Sequence, residues 1–274
     1  MATTKRDEVE WERLKAHELR SLAAQNAVVI LPVAATEQHG PHLPTMTDTR
    51  IGGEIARRAA AKAFDRQPTI VAPVLFAGLS EHHMPFGGTL TLDHDTFLGV
   101  LRCLIRSVTR NGFSRILISN SHGGNILASQ LASDLMAQET GAAIASTTYA
   151  TEAAEAIGPL LEDQPGIMHA GEGETSMMMA LESDLVDTSD LASLNTDRGK
   201  GFLYAGSASY RWRPFQHMTG NGVSGLPEKA NAEKGEALLE AASDAIASLI
   251  LDPETWAAPL DKRGDGPGGV PFSS

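Results

Sequence analysis

Short apolar runs that alternate with helix-length segments constrain this chain more than any other feature. Residues 27–33, 69–76, 114–119 and 142–148 are each short, apolar and enriched in β-branched side chains. The first reads as a buried strand and the others as further strands. Between them, residues 49–64, 94–110 and 125–138 carry helical composition, and Asn111-Gly112 stops the second of these. Strand and helix in alternation give βαβ units, so the expected fold class is α/β, with a mostly parallel sheet covered by helices on both faces. Trp11, Leu14, Leu19 and Leu22 fall on one face of a short N-terminal helix, and residues 230–251 form a strong C-terminal one. No repeat or linker divides the chain. Residues 1–262 are therefore expected to form one domain, with 263–274, rich in Gly and Pro, as a mobile tail.

Composition narrows the partners. A length of 274 residues with 42% hydrophobic content is enough for a sizeable core. The net charge of -12 and the lack of any basic run argue against a nucleic-acid partner, which needs clustered Lys and Arg. No apolar stretch approaches the roughly 18 residues of a membrane span, and the N-terminus lacks the apolar core of a signal peptide. A cytoplasmic protein with no membrane partner is the expectation. The single cysteine, Cys103, cannot make an intrachain disulfide and reads as a small buried hydrophobe in an apolar helix.

Chemistry-bearing side chains collect in the loops that follow the strands, where open α/β sheets bind ligands. The first loop contains Glu37-Gln38-His39-Gly40-Pro41-His42 and leads to Asp48 at the start of the next helix. Another reads Ser121-His122-Gly123-Gly124-Asn125, its glycines allowing close backbone approach to a ligand. A third cluster, His169-Ala170-Gly171-Glu172-Gly173-Glu174, opens an apolar helix. Singly these are weak signals, because loop histidines usually make ordinary hydrogen bonds and acidic residues at helix starts complement the dipole. Together, mixed nitrogen and oxygen donors from three loops suit Zn or Mn, and a bridging Asp would set two ions about 3.5–4 Å apart.

These segments, with Leu31-Pro32-Val33, Phe86-Gly87-Gly88-Thr89 and Ala232-Glu233-Lys234-Gly235, resemble the successive signatures of the creatininase family over residues 28–239. The resemblance implies a three-layer α/β/α sandwich, a hexameric homo-oligomer, a small-molecule substrate and two divalent ions, Zn or Mn, in each subunit. It implies that Glu37, Asp48 and His122 hold one ion and that His39, Asp48 and Glu174 hold the other. His169 matches the family histidine that contacts substrate and assists proton transfer, and Glu172 is a second candidate for the catalytic base. Ser80, His82, His83, Gly123 and Gly124 lie where the family builds its substrate side, and His42 is expected to support a ligand.

The departures bear on substrate. Creatininase proper has a catalytic Glu two residues beyond its metal-binding His, where this chain has Gly124, and its substrate-covering Trp is replaced near Tyr149 and Ala150. Creatinine is therefore not the expected substrate. The expected reaction is hydrolysis of a non-standard or cyclic amide by metal-activated water. The alternatives are a formamide or short-peptide hydrolase of the same family, and a metal-binding scaffold without activity. The aromatic residues Tyr210, Trp212 and Phe215 read as an oligomer interface.

Overall fold

The structure, a computed structural model, describes residues 8–162, 164–196, 211–260 and 262. Four parallel strands, β1 (Val28–Val33), β2 (Thr69–Val71), β3 (Arg115–Asn120) and β4 (Ala143–Thr148), pair in the order β2-β1-β3-β4. The eight α-helices of the described residues are α1 (Ala16–Ala23), α2 (Thr47–Ala63), α3 (His94–Arg110), α4 (Ile126–Thr140), the single turns α5 (Tyr149–Glu152) and α6 (Ala154–Ile157), α7 (Glu172–Leu181) and α8 (Ala232–Leu251).

Strand alternation sorts the helices into layers. Val28, Ile30 and Leu117 point into one apolar cluster with residues of α2, α7 and α8, while Val29, Leu31, Ile116 and Ile118 point into another with α3 and α4. The result is the expected three-layer α/β/α sandwich. Every residue of β1 is buried, as a strand covered on both faces must be. Because all strands run in parallel, the loops after β1, β3 and β4 emerge at the same end of the sheet.

Three expectations are corrected. The second apolar run is strand only over Thr69–Val71, since Pro73 has no N–H to donate; Leu75 rejoins the sheet edge by donating its N–H to the Pro32 carbonyl at 2.9 Å. Trp11 and Leu14 lie outside α1, whose start is fixed when the Lys15 N–H donates to the Glu18 carboxylate at 2.7 Å. Cys103 is exposed, because α3 buries Phe97, Leu101, Ile105 and Val108 and turns position 103 to the other side. Residues 263–274 lie outside the described residues. No described helix is long and apolar enough to cross a membrane.

Helices α7 and α8 cross at Gly235, where an added Cβ would sit 1.9 Å from the Ser176 carbonyl oxygen. Gly99, on the exposed face of α3, has open space at the same position. Denaturant unfolding should separate the two sites. Gly99→Ala gains up to about 1 kcal/mol from helix propensity, whereas Gly235→Ala loses about 1–3 kcal/mol to overpacking despite the same gain. Equal effects would mean that the crossing tolerates a methyl group.

Candidate metal centre

Five side chains from three loops converge beyond the carboxyl ends of the strands. Glu37 and His39 come from the loop after β1, Asp48 from the first turn of α2, His122 from the residue pair after β3, and Glu174 from the first turn of α7. All five are buried. Local features hold each segment in place. Gly40 takes a left-handed φ of 68°, and an added Cβ there would meet Val223 at 2.4 Å. Ser121 Oγ donates to the Asp48 carbonyl at 2.9 Å, tying the loop after β3 to α2. Ala170, left-handed at φ 55°, turns its N–H onto Glu174 Oε2 at 2.6 Å.

Two triads share Asp48. Glu37, Asp48 and His122 offer ligand atoms within 4.8 Å of one another, and so do His39, Asp48 and Glu174. The two carboxylate oxygens of Asp48 face opposite ways: Oδ1 lies 3.2 Å from His39 Nε2, and Oδ2 lies 3.2 Å from His122 Nδ1. His39 Nε2 is also 3.5 Å from Glu174 Oε2, and His122 Nδ1 is 3.2 Å from Glu37 Oε1. Among the described residues, Glu37 Oε2, His39 Nε2 and Asp48 Oδ2 are buried with no hydrogen bond. The far side of the His39 and His122 rings is occupied by a backbone acceptor in each case. His39 Nδ1–H donates to the Glu37 carbonyl at 3.1 Å, and His122 Nε2–H to the Leu79 carbonyl at 3.2 Å. The neutral form of each ring would therefore turn a lone pair inward, as a metal-ligating histidine must.

Electrostatics show the same demand for positive charge. Burial works against protonation of His39, but Asp48, Glu174 and Glu37 outweigh it and push the imidazole up to about 10. His122 is likewise raised well above its ordinary value, burial again being overcome by Glu37 and Asp48. Asp48 is held below the usual carboxylate range because the two histidines outweigh its burial. Glu174 is pushed up to about 7, first by burial and then by the negative charge of Asp48 and Glu37. In the bare cluster, protons on two imidazoles neutralise the carboxylates. Divalent ions would do so better, releasing those protons as they bind. The donors present fit the implied metals.

The remaining expected site residues divide. His169 Nδ1 lies 3.5 Å from Glu37 Oε1, and its ring is 4.2 Å from that of His39. A third possible metal group, Glu37 with His39 and His169, includes it. His83 Nε2 is 3.3 Å from Glu37 Oε1, and His82 stacks on His122 at 5.7 Å between ring centroids. Ser80 is fully buried with Oγ 3.3 Å from His122 Nε2, so it supports that ring. Gly123 is exposed with open space beside it, whereas a Cβ on Gly124 would lie 2.2 Å from the Leu79 carbonyl and 2.5 Å from His122 Nε2. His42 Nε2 bonds with Thr175 Oγ1 at 2.9 Å, one layer behind His39.

Glu172 is not brought into the cluster. Its fully buried carboxylate pairs with Lys234 Nζ and accepts the Glu162 N–H at 3.0 Å. Two residues along a helix is about 200° of rotation, so Glu172 and Glu174 cannot serve the same side. Phe215 is the converse case. It does not serve as an exposed interface residue: it is buried, 4.3 Å from the His83 ring and edge-on to His169 at 4.8 Å. Trp212 is half exposed, and Tyr210 lies outside the described residues. Gln38, between Glu37 and His39, bonds to both His83 and His169. Its place in Glu37-Gln38-His39 was the available signal for it; Phe215 had none, being brought in from a distant segment.

The comparisons agree with this geometry. Relatives include the mycofactocin precursor peptide peptidase of Mycolicibacterium smegmatis, 34% identical over 65% of this chain and 67% of that protein. The creatinine amidohydrolase of Pseudomonas putida is 28% identical over 89% of this chain and 95% of that one. A crystal structure of creatininase superposes with a TM-score of 0.75 at 26% identity, covering 93% of this chain and 100% of that one. Other similar solved creatininases are described as a Mn form and a Zn-Zn type. A family model described as "Creatininase: Creatinine amidohydrolase" matches residues 12–250, and the chain belongs to the creatininase family.

Proposed function

We propose that the chain is a binuclear metal-dependent hydrolase that cleaves a non-standard or cyclic amide C–N bond of a small molecule. One observation carries this reading: Asp48, buried, presents its two oxygens to two separate triads, in which Glu37 Oε2, His39 Nε2 and Asp48 Oδ2 are buried without a hydrogen bond. Divalent ions held there supply the activated water and the Lewis acidity that amide hydrolysis needs.

The chain's own residues supply the rest. His169 keeps 14% of its side chain exposed, so it borders both the cluster and the space where substrate arrives. It is placed to deliver a proton to the departing nitrogen, which leaves poorly as an anion. Phe215 and Phe86 wall the same edge with apolar surface that excludes water. Beside Gly124 the Leu79 carbonyl and the His122 ring fill the space a side chain would need, so no carboxylate acts from that position. That crowding supports a substrate other than creatinine.

A second reading, hydrolysis of a short peptide, is favoured by the apolar surface next to the ligand loop. Phe76 and Leu90, each 55% exposed, flank Thr36, which bonds to the carbonyl of one and pairs with the other. Such a strip would take the side chains of a peptide, and similarity to a peptidase points the same way.

Elemental analysis after loading with Zn or Mn should find close to two ions per chain, none in Asp48→Ala and one in Glu174→Ala. One ion or none in the native protein counts against the binuclear site. His169→Ala should retain both ions and slow turnover by about 100- to 10,000-fold; loss of metal in that variant would make His169 a ligand instead. Steady-state assay should find creatinine a poor substrate, and turnover within the ordinary enzyme range, about 1–1000 per second, would show that a carboxylate at position 124 is dispensable.

A further inference from the structure

We propose that Gln38 fixes which ring nitrogen of His83 and of His169 carries the proton, so that both rings meet the metal centre as N–H donors and not as ligands. The inference rests on the reading of the five-residue cluster as a metal centre for its functional meaning, but its geometry stands independently.

The orientation of the Gln38 amide is set by two backbone groups that can each play only one part. Oε1 accepts from the Gly40 N–H at 2.9 Å, and Nε2 donates to the Gly222 carbonyl at 3.1 Å. Reversing the amide would set donor against donor at one end and acceptor against acceptor at the other. The residue is further held by its own N–H, which donates to Thr89 Oγ1 at 3.1 Å. Gly222, at φ 81°, leaves room for the amide, since a Cβ there would sit 2.1 Å from Gln38 Oε1.

With its orientation fixed, Gln38 Nε2 lies 2.8 Å from His83 Nδ1 and 3.1 Å from His169 Nε2. The amide nitrogen accepts nothing, and its two hydrogens serve the Gly222 carbonyl and, shared between them, the two rings; a ring N–H turned toward it would set donor against donor, so both facing ring nitrogens present lone pairs. The proton of His83 is therefore on Nε2 and that of His169 on Nδ1. These two N–H groups converge on one atom, Glu37 Oε1, at 3.3 and 3.5 Å. The rings have little freedom to turn, because they stack on each other at 4.4 Å and Phe215 packs against both.

Two consequences follow. The inward nitrogen of His169 has no free lone pair, so the group of Glu37, His39 and His169 does not take an ion, and the ligand set is the two triads that share Asp48. His169 meanwhile keeps a hydrogen on the nitrogen nearest the reacting centre. Gln38 is thus a positioning residue acting through two histidines.

Histidine-labelled, zinc-loaded protein should be studied by two-bond proton–nitrogen NMR, which distinguishes the protonated from the bare ring nitrogen. The native protein should show His83 bare at Nδ1 and His169 bare at Nε2. Gln38→Glu replaces the donor by an acceptor and should move the proton to those two nitrogens. Gln38→Met should leave both rings populating both forms. A proton on His83 Nδ1 or His169 Nε2 in the native protein overturns the proposal, as does a Gln38→Glu spectrum identical to the native one. If neither variant folds, the native spectrum alone decides. Zinc measured on the same samples separates the two readings. The expected tautomers in a chain that holds no zinc would keep this role for Gln38 and remove the metal centre; two zinc ions with the opposite tautomer would do the reverse.

Discussion

Asp48 sits between His39 and His122 with Glu37 and Glu174 close on either side, and three carboxylates held this far from water need positive charge beside them. Taking an ionised group out of water costs several kcal/mol even after relaxation. A domain is stable by only about 5–15 kcal/mol in total. Uncompensated, the cluster would consume much of that margin, so the loops that carry it are tied to whatever neutralises it. In the bare protein the imidazoles take up protons, as the raised His39 and His122 values indicate. Ion binding there would release those protons.

The scaffold makes this concentration of charge affordable by confining it to one end of the sheet. Parallel pairing sends the loops after β1 and β3 to the same side, while the strands themselves remain apolar and buried. Backbone groups then finish the positioning. Carbonyls of Glu37 and Leu79 accept the outward protons of His39 and His122, and the Ala170 N–H steadies Glu174. Ala170 accepts a left-handed backbone to do so, a conformation that costs a non-glycine residue free energy and is held only because the surrounding structure enforces it.

Around this centre the chain differs from the pattern of creatininase proper. The space beside Gly124 is closed by the Leu79 carbonyl and the His122 ring, so the carboxylate that creatininase proper uses has no counterpart there. Phe215, Phe86 and the stacked histidines form an aromatic wall instead. Glu172, which could have supplied a replacement base, is committed to Lys234 and the Glu162 N–H, where it joins the start of α7 to α8. Under the proposed reading, proton transfer at this centre is therefore assigned to His169.

The sequence by itself determined the layer architecture, because a strand buried on both faces needs an unbroken apolar run and a surface helix needs a one-sided stripe, and residues 27–33 and 94–110 carry those patterns openly. Its loop clusters also held Glu37, His39, Asp48, His122 and Glu174, which the resemblance to the creatininase family singled out from their neighbours. Helical phase, edge geometry and long-range packing were decided only in three dimensions. Whether Glu172 or Glu174 faced inward depended on where α7 begins, and a shift of two residues turns a side chain to the opposite face. The strand expected over 69–76 stopped at Val71 because Pro73 could not continue the ladder. Cys103 turned outward once the buried stripe of α3 was set, and Phe215 reached the histidines from a segment with no periodicity to announce it. Contacts between distant segments leave no mark in local spacing, because they depend on how whole layers pack.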